Sequence, residues 1–152
     1  MVAMDDSLPR DSDRRRTDLE QVKVLAVFHF VGVGLAALGL LMLYGHYKFF
    51  SQMISNPNLW KGAAVPPPPE MFAPMRWLYG FGATIIAGTG ILNFCAARWL
   101  RAKKNRLFTI GVAIVNCFWF PVGTALGVFT IIVLARESVQ ALYRESAPTP
   151  RE

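Results

Sequence analysis

Residues 107–135 read LFTIGVAIVNCFWFPVGTALGVFTIIVLA, an apolar stretch without one formally charged side chain. As a single helix it would be about 43 Å long, whereas a bilayer core of about 30 Å needs only about 20 residues. The stretch is therefore longer than one crossing needs and shorter than two relaxed crossings. Pro121 and Gly123 lie near its middle and supply a helix stop and a tight turn.

Two further stretches, residues 24–45 and 77–97, also lack charged side chains. Each is long enough to cross the hydrocarbon core as one helix. The chain has 152 residues, of which 53% are hydrophobic and 17% are charged, and it is too apolar for a soluble domain of this length. The sequence therefore predicts an integral membrane protein that is all α-helical.

The distribution of basic residues predicts the number of crossings. Of the 16 lysines and arginines, only Lys48, Lys61 and Arg76 lie outside the N-terminal segment up to Lys23, the loop at residues 98–106 and the segment after residue 135. All the others share one side of the membrane only if residues 107–135 cross it twice, as the positive-inside rule expects. We predict an all-α transmembrane four-helix bundle in which the last two spans form a tight hairpin. Its spans are expected at about 24–45, 77–97, 105–120 and 123–136.

The short third span leaves an alternative open. Residues 104–120 give roughly 25 Å of helix, which is short for a crossing. Residues 107–135 could instead form a re-entrant hairpin that dips part way into the bilayer. Both arrangements place the N-terminus and the C-terminus in the cytoplasm.

The polar segments divide the rest of the chain. Residues 1–20 form a basic tail that we expect to be disordered, because it cannot bury enough apolar surface to become ordered. Residues 21–144 form the membrane domain, which includes an outer proline-rich loop at 46–75. The four prolines at 66–69 favour a stiff polyproline II conformation. A second disordered tail is expected at 145–152.

Three segments of the chain resemble the corresponding segments of a known protein family. They are residues 18–30 (DLEQVKVLAVFHF), the basic loop before Leu107, and residues 120–136 (FPVGTALGVFTIIVLAR) with 139–143. Over about residues 18–48 and 76–143 the chain resembles a family of small bacterial four-helix membrane proteins of unknown function. The Phe-Pro-x-Gly-Thr-x-Leu-Gly segment is the most specific part. The resemblance implies four spans and a bacterial cytoplasmic membrane, and it implies no activity.

Polar side chains within the spans are candidates for function. His29, Asn93 and Thr130 each lie five or six residues from a basic residue that borders the span, at a depth of roughly 8–9 Å. We predict that these three side chains form or border one buried polar layer near the cytoplasmic side. His29 is expected to bond a neighbour and fix helix register, and the alternative is a proton-relay or ligand role.

Small residues at helical spacing predict close helix packing. On the first span they are Gly32, Ala36 and Gly39, and on the second they are Gly80, Thr84 and Gly88. Pro121, Gly123, Thr124 and Gly127 are expected to form the hairpin turn.

The remaining residue types argue against several functions. The two cysteines and two histidines build no metal site, and His46 is about 25 Å along a helix from His29, too far for both to bind one haem. We predict no metal and no cofactor. The net charge is +6, and the basic residues flank apolar spans. This placement favours anionic lipid as a partner and argues against nucleic acid.

No nucleophile with a nearby base and no carboxylate pair is apparent, so we predict that the protein is not an enzyme. The favoured function is that of an accessory or scaffold-like protein of the bacterial cytoplasmic membrane. It would act by packing its helices against itself, as a homo-oligomer, or against a larger membrane complex. The alternative is a small oligomeric channel or transporter with a polar layer near His29. The spans contain no aspartate or glutamate, which argues against proton-coupled or sodium-coupled carriage.

Overall fold

Every regular element in the described part of the chain is a helix. The computed structural model describes residues 7–62, 70 and 73–146. The elements are α1 (Ser7–Ser55), a short 3-10 helix (Pro57–Trp60), α2 (Ala73–Ala102), α3 (Arg106–Cys117), α4 (Val122–Ala135) and α5 (Glu137–Glu145). The prediction of an all-α protein is confirmed.

The lengths of the helices differ from the four predicted spans. Two helices are long and apolar enough to cross a membrane, α1 over Ser12–Ser55 and α2 over Ala73–Ala102. α4 and α5, which meet at a bend of 72°, would make a third if the pair forms one span. α3 is a shorter apolar helix of 12 residues. These properties indicate a membrane protein, and they do not confirm a bundle of four crossings.

The chain divides into two compact units. The first contains Met1–Val33 and Leu92–Glu152, and the second contains Gly34–Ile91. α1 and α2 each contribute residues to both units, whereas α3, α4 and α5 belong to the first alone.

The basic tail is helical where disorder was expected. α1 begins at Ser7, and the structure does not describe residues 1–6. Once the apolar part of α1 is helical, each residue added to its end costs little, because the helix is already nucleated. Ion pairs also hold this segment: Arg16 pairs with Glu20 one turn on, and Arg15 pairs with Glu145 of α5. The prolines at 66–69, and the expected tail from residue 147 onward, lie outside the described residues.

The buried core of the first unit contains side chains from α1, α2, α4 and α5. The buried side chains are Val22, Leu25, Ala26, Leu100, Val133, Leu134, Val139 and Tyr143. Between α4 and α5 the backbone is extended at Arg136, which produces the bend. Its guanidinium donates to the side-chain oxygen of Gln21 at 2.7 Å and lies 3.7 Å from the buried carboxylate of Asp18. The polar end of α1 therefore fixes the position of α5.

Tyr143 buries a hydroxyl that has no hydrogen-bond partner among the described residues. Burial raises the pKa of Tyr143 to about 12, an effect that the positive charge of Arg106 opposes. The unfolded chain loses this proton near pH 10, so the raised pKa makes stability fall as the pH rises from 10 to 12. We predict that Tyr143→Phe melts at the same temperature as the unmodified chain or a few degrees higher at pH 8.

The same substitution removes the titrating group, so its advantage in melting temperature should grow between pH 10 and pH 12. Thermal unfolding in detergent micelles, followed by circular dichroism, measures both quantities. Tyr44→Phe is the matched control, because it removes the same hydroxyl from an exposed side chain. A constant difference between Tyr143→Phe and the unmodified chain across this pH range would contradict the prediction.

Candidate functional site

His29 lies at the centre of a buried group of polar side chains. It is 0% exposed, and its Nδ1 lies 2.7 Å from Oδ1 of Asn93. An amide oxygen only accepts hydrogen bonds, so Nδ1 carries the proton and donates it. The other ring nitrogen, Nε2, is then an acceptor for the hydroxyl of Thr130 at 3.4 Å. Both ring nitrogens of His29 are thus engaged by the protein.

The amide of Asn93 forms a reciprocal pair with a second amide, that of Asn116. Nδ2 of Asn93 donates to Oδ1 of Asn116 at 3.0 Å, and Nδ2 of Asn116 donates back to Oδ1 of Asn93 at 2.8 Å. Both asparagines are 3% exposed, and Thr130 is 0% exposed. We call His29, Asn93, Asn116 and Thr130 the polar layer. It draws one side chain from each of α1, α2, α3 and α4.

Gly32 of α1 lies beside Asn93 at this level. A Cβ atom placed on Gly32, one turn after His29, would lie 3.4 Å from Oδ1 of Asn93, which is an ordinary van der Waals contact. On α4, Thr130 lies on the same buried face as Gly127, Val133 and Leu134.

The chemistry available to the layer is limited. It contains a neutral imidazole with both nitrogens bonded, two amides and a hydroxyl, and it includes no carboxylate or thiol. Across residues 7–62, 70 and 73–146, no group of three or more His, Cys, Asp and Glu side chains could hold a metal ion. Hydrogen bonds between helices in a membrane stabilise by about 0.6–2 kcal/mol each, so the layer can hold four helices in register.

The structure places the three residues predicted for the layer together, and it adds a fourth. The fourth is Asn116, which was not predicted to belong to the layer and which lies beside Asn93. The signal that identifies it is helical spacing: Thr109, Val112, Ala113 and Asn116 recur at intervals of three and four residues and form the buried face of α3.

In the second unit the packing face of α2 differs from the predicted one. A Cβ atom on Gly90 would lie 3.0 Å from Cβ of Ala36, and one on Gly39 would lie 3.6 Å from Ile86. Ala36 and Gly39 therefore pack as expected. Their partners on α2 are Gly90 and Ile86, and Gly82 on the same face meets Leu43. Among the described residues, nothing lies within 4 Å of a Cβ position on Gly80 or Gly88, and Thr84 is exposed. Both faces carry small residues at the same spacing, so spacing alone could not choose between them.

The residues predicted for the hairpin turn lie where α3 and α4 meet. Pro121 immediately precedes α4, and Gly123 follows it in the first turn of that helix. The hydroxyl of Thr124 donates to the carbonyl oxygen of Cys117 at 2.7 Å. Gly127 lies one turn further along α4, where a Cβ atom would overlap the backbone of Ala113 and the side chain of Cys117.

A second group of aromatic side chains lies in the unit Gly34–Ile91. The hydroxyl of Tyr79 is 2.6 Å from Nδ1 of His46, whose ring also contacts Phe50. Beside them is an open groove of about 450 Å³, lined by Leu40, Leu43, Tyr44, Tyr47, Arg76, Tyr79, Gly80 and Ala83. The sequence did not predict this groove, because its residues come from two helices separated by the proline-rich loop.

Comparisons of the chain with models of known protein families, with curated proteins and with solved structures find no match. The resemblance to a family of small bacterial membrane proteins therefore stays a prediction that rests on the residues quoted for it.

Proposed function

We propose that the protein is a non-enzymatic accessory or scaffold protein of a bacterial cytoplasmic membrane. It acts by packing its helices against copies of itself or against a larger membrane complex. The four-crossing arrangement and its re-entrant alternative both keep the two ends of the chain in the cytoplasm, so the proposal holds for either. The basic residues of the loop at 98–106 would contact anionic lipid headgroups.

The observation that carries this proposal is the way the polar layer is bonded. A transport site needs polar groups that a solute can reach. The polar atoms of His29 and Asn116 are instead bonded to other side chains of the layer, all of which are buried. A layer of this kind stabilises one arrangement of helices, as expected for a scaffold.

The exposed surface of the helices supports the same proposal. Large apolar side chains cover it, among them Leu41, Met42, Leu78, Phe81, Ile91 and Phe129. One face of α2 carries Gly80, Thr84 and Gly88. At its two glycines, no side chain of the described residues lies within 4 Å of a Cβ position. A second helix could approach closely there, because small residues allow backbones to come near each other in a membrane.

The first test compares flux with association. The purified protein, reconstituted in liposomes, should pass no more protons, potassium ions or small solutes than empty liposomes. Crosslinking in native membranes, followed by mass spectrometry, should give a homo-oligomer or a complex of fixed stoichiometry. Flux through the pure protein above that of empty liposomes would overturn the proposal in favour of a channel or transporter.

Variants locate the association surface and separate it from the fold. Gly80→Ile and Gly88→Ile should each lower the crosslinked fraction by about tenfold, equivalent to about 1.4 kcal/mol, without lowering the melting temperature. Gly34→Ile is the matched control on α1, where no atom of the described residues lies within 4 Å of a Cβ position. His29→Gln keeps a side-chain donor but removes the titratable ring, and we expect it to leave association unchanged. Loss of association in His29→Gln with an intact fold would contradict a purely structural layer.

A further inference from the structure

We propose that the α3–α4 hairpin is re-entrant: it enters the bilayer from the cytoplasmic side, ends within the hydrocarbon core and returns to the same side. Its tip is then a surface that contacts lipid acyl chains. The proposal needs the chain to be in a membrane, but it does not depend on the accessory role proposed above.

Helix length is the first argument. α3 has 12 residues and α4 has 14, so they rise about 18 Å and about 21 Å. A hydrocarbon core is about 30 Å thick. Neither helix can cross it, even when the four residues of the connection are shared between them.

The open end of the hairpin is held at the charged boundary. Arg106, the first residue of α3, donates from Nε to the carbonyl oxygen of Leu134 at 2.9 Å. Arg136, directly after α4, pairs with Gln21 and Asp18 near the polar end of α1. Charged residues thus mark the side of the membrane from which both helices start.

The polar layer sets the depth that the hairpin reaches. Asn116 is in the last turn of α3, and it pairs with Asn93 of α2. Asn93 lies five residues before Arg98, which is about 7.5 Å along the helix. Residues 117–121 extend beyond this level, so the tip lies between about 12 Å from the boundary, counted from Arg98, and about 21 Å, counted along α4 from Arg136. This range includes the middle of the bilayer.

Several backbone groups of the tip are hydrogen-bonded within the hairpin, which hydrocarbon favours. In lipid, an unpaired peptide group costs several kcal/mol. The N–H groups of Phe118, Trp119 and Gly123 donate to carbonyl oxygens within three or four residues, at 3.2, 2.9 and 2.7 Å. Pro121 has no N–H group, and the hydroxyl of Thr124 donates to the carbonyl of Cys117. These groups need no water.

The side chains of the tip are apolar and exposed. Phe118 is 85% exposed, Phe120 is 86% exposed and Val122 is 64% exposed. A loop that emerged into water on the outer side would gain nothing from three such residues. In the bilayer core, acyl chains would surround them. A full crossing would instead place Trp119 at the outer interface, and this difference can be measured.

The depth of Trp119 tests the proposal. The chain has four tryptophans, so Trp60→Phe, Trp77→Phe and Trp99→Phe together leave Trp119 as the sole indole. In phosphatidylcholine vesicles brominated at different acyl positions, the ratio of quenching reports distance from the bilayer centre. We expect Trp119 within about 5 Å of the centre, given the tip depth above and a core of about 30 Å. A sole Trp77 or a sole Trp99 is the matched control and should be quenched best by shallow bromines.

Quenching of Trp119 with the same shallow profile as Trp77 would overturn the proposal. A second measurement does not depend on the tryptophan variants. In a chain that carries Cys95→Ala and Cys117→Ala, Val122→Cys should resist a membrane-impermeant thiol reagent in intact cells and react after detergent is added. Gly62→Cys, in the loop between the first two spans, should react in intact cells. Labelling of Val122→Cys in intact cells at the rate of Gly62→Cys would show a full crossing.

Discussion

Replacement of Gly127 by alanine is expected to lower the free energy of unfolding by about 3 kcal/mol, the upper end of the usual cost of overpacking. A Cβ atom there would lie 2.6 Å from Sγ of Cys117 and would also contact the carbonyl oxygen of Ala113. The oxygen belongs to the backbone of α3, so it cannot move aside without shifting that helix. The hairpin would have to open, and the contact of Thr124 with Cys117 would be strained as well.

Unfolding by sodium dodecyl sulfate in mixed micelles, followed by circular dichroism, gives the free energy for each variant. Gly111→Ala is the control on the same hairpin, where nothing in the described part of the chain lies within 4 Å of a Cβ position. It should change stability by no more than about 1 kcal/mol, the difference in helix propensity between the two residues. Equal stability losses in Gly127→Ala and Gly111→Ala would show that the two helices do not pack at Gly127.

The sequence could predict the helical class and most of the polar layer because both depend on regular geometry. A helix rises by a fixed distance per residue, so counting from the nearest basic residue places His29, Asn93 and Thr130 at a common depth. The structure places these three side chains within one hydrogen-bonded group. No contact between helices had to be known in advance.

Properties that depend on a choice between similar surfaces could not be predicted in the same way. α2 carries small residues on two faces, and the face of Gly82 and Gly90 packs against α1 in place of the face of Gly80 and Gly88. The sequence gives both faces the same spacing. Asn116 was not included in the polar layer, because it lies ten residues from Arg106 along α3 and so does not share the five-residue or six-residue spacing of the other three.

The second large effect is expected from breaking the amide pair of the polar layer. Asn93→Leu removes the acceptor of the His29 Nδ1 proton and both partners of the Asn116 amide. A buried polar group left without a partner costs about 1–3 kcal/mol. We expect the free energy of unfolding to fall by about 3 kcal/mol in the same detergent titration. Thr84→Val, which removes an exposed hydroxyl bonded only to its own helix, is the control and should cost less than about 0.5 kcal/mol.

The double variant tests whether the amides of Asn93 and Asn116 interact or stabilise the fold independently. In Asn93→Leu with Asn116→Leu, no unpaired amide remains on α3, so the double change should cost less than the sum of the single changes by about 1–2 kcal/mol. The loss of unfolding free energy that remains in the double variant is then due to His29, whose Nδ1 proton still lacks an acceptor. Additive costs would mean that the two amides do not interact. Because the same pair positions the end of α3, the double variant should also change the quenching depth of Trp119, whereas Thr84→Val should leave that depth unchanged.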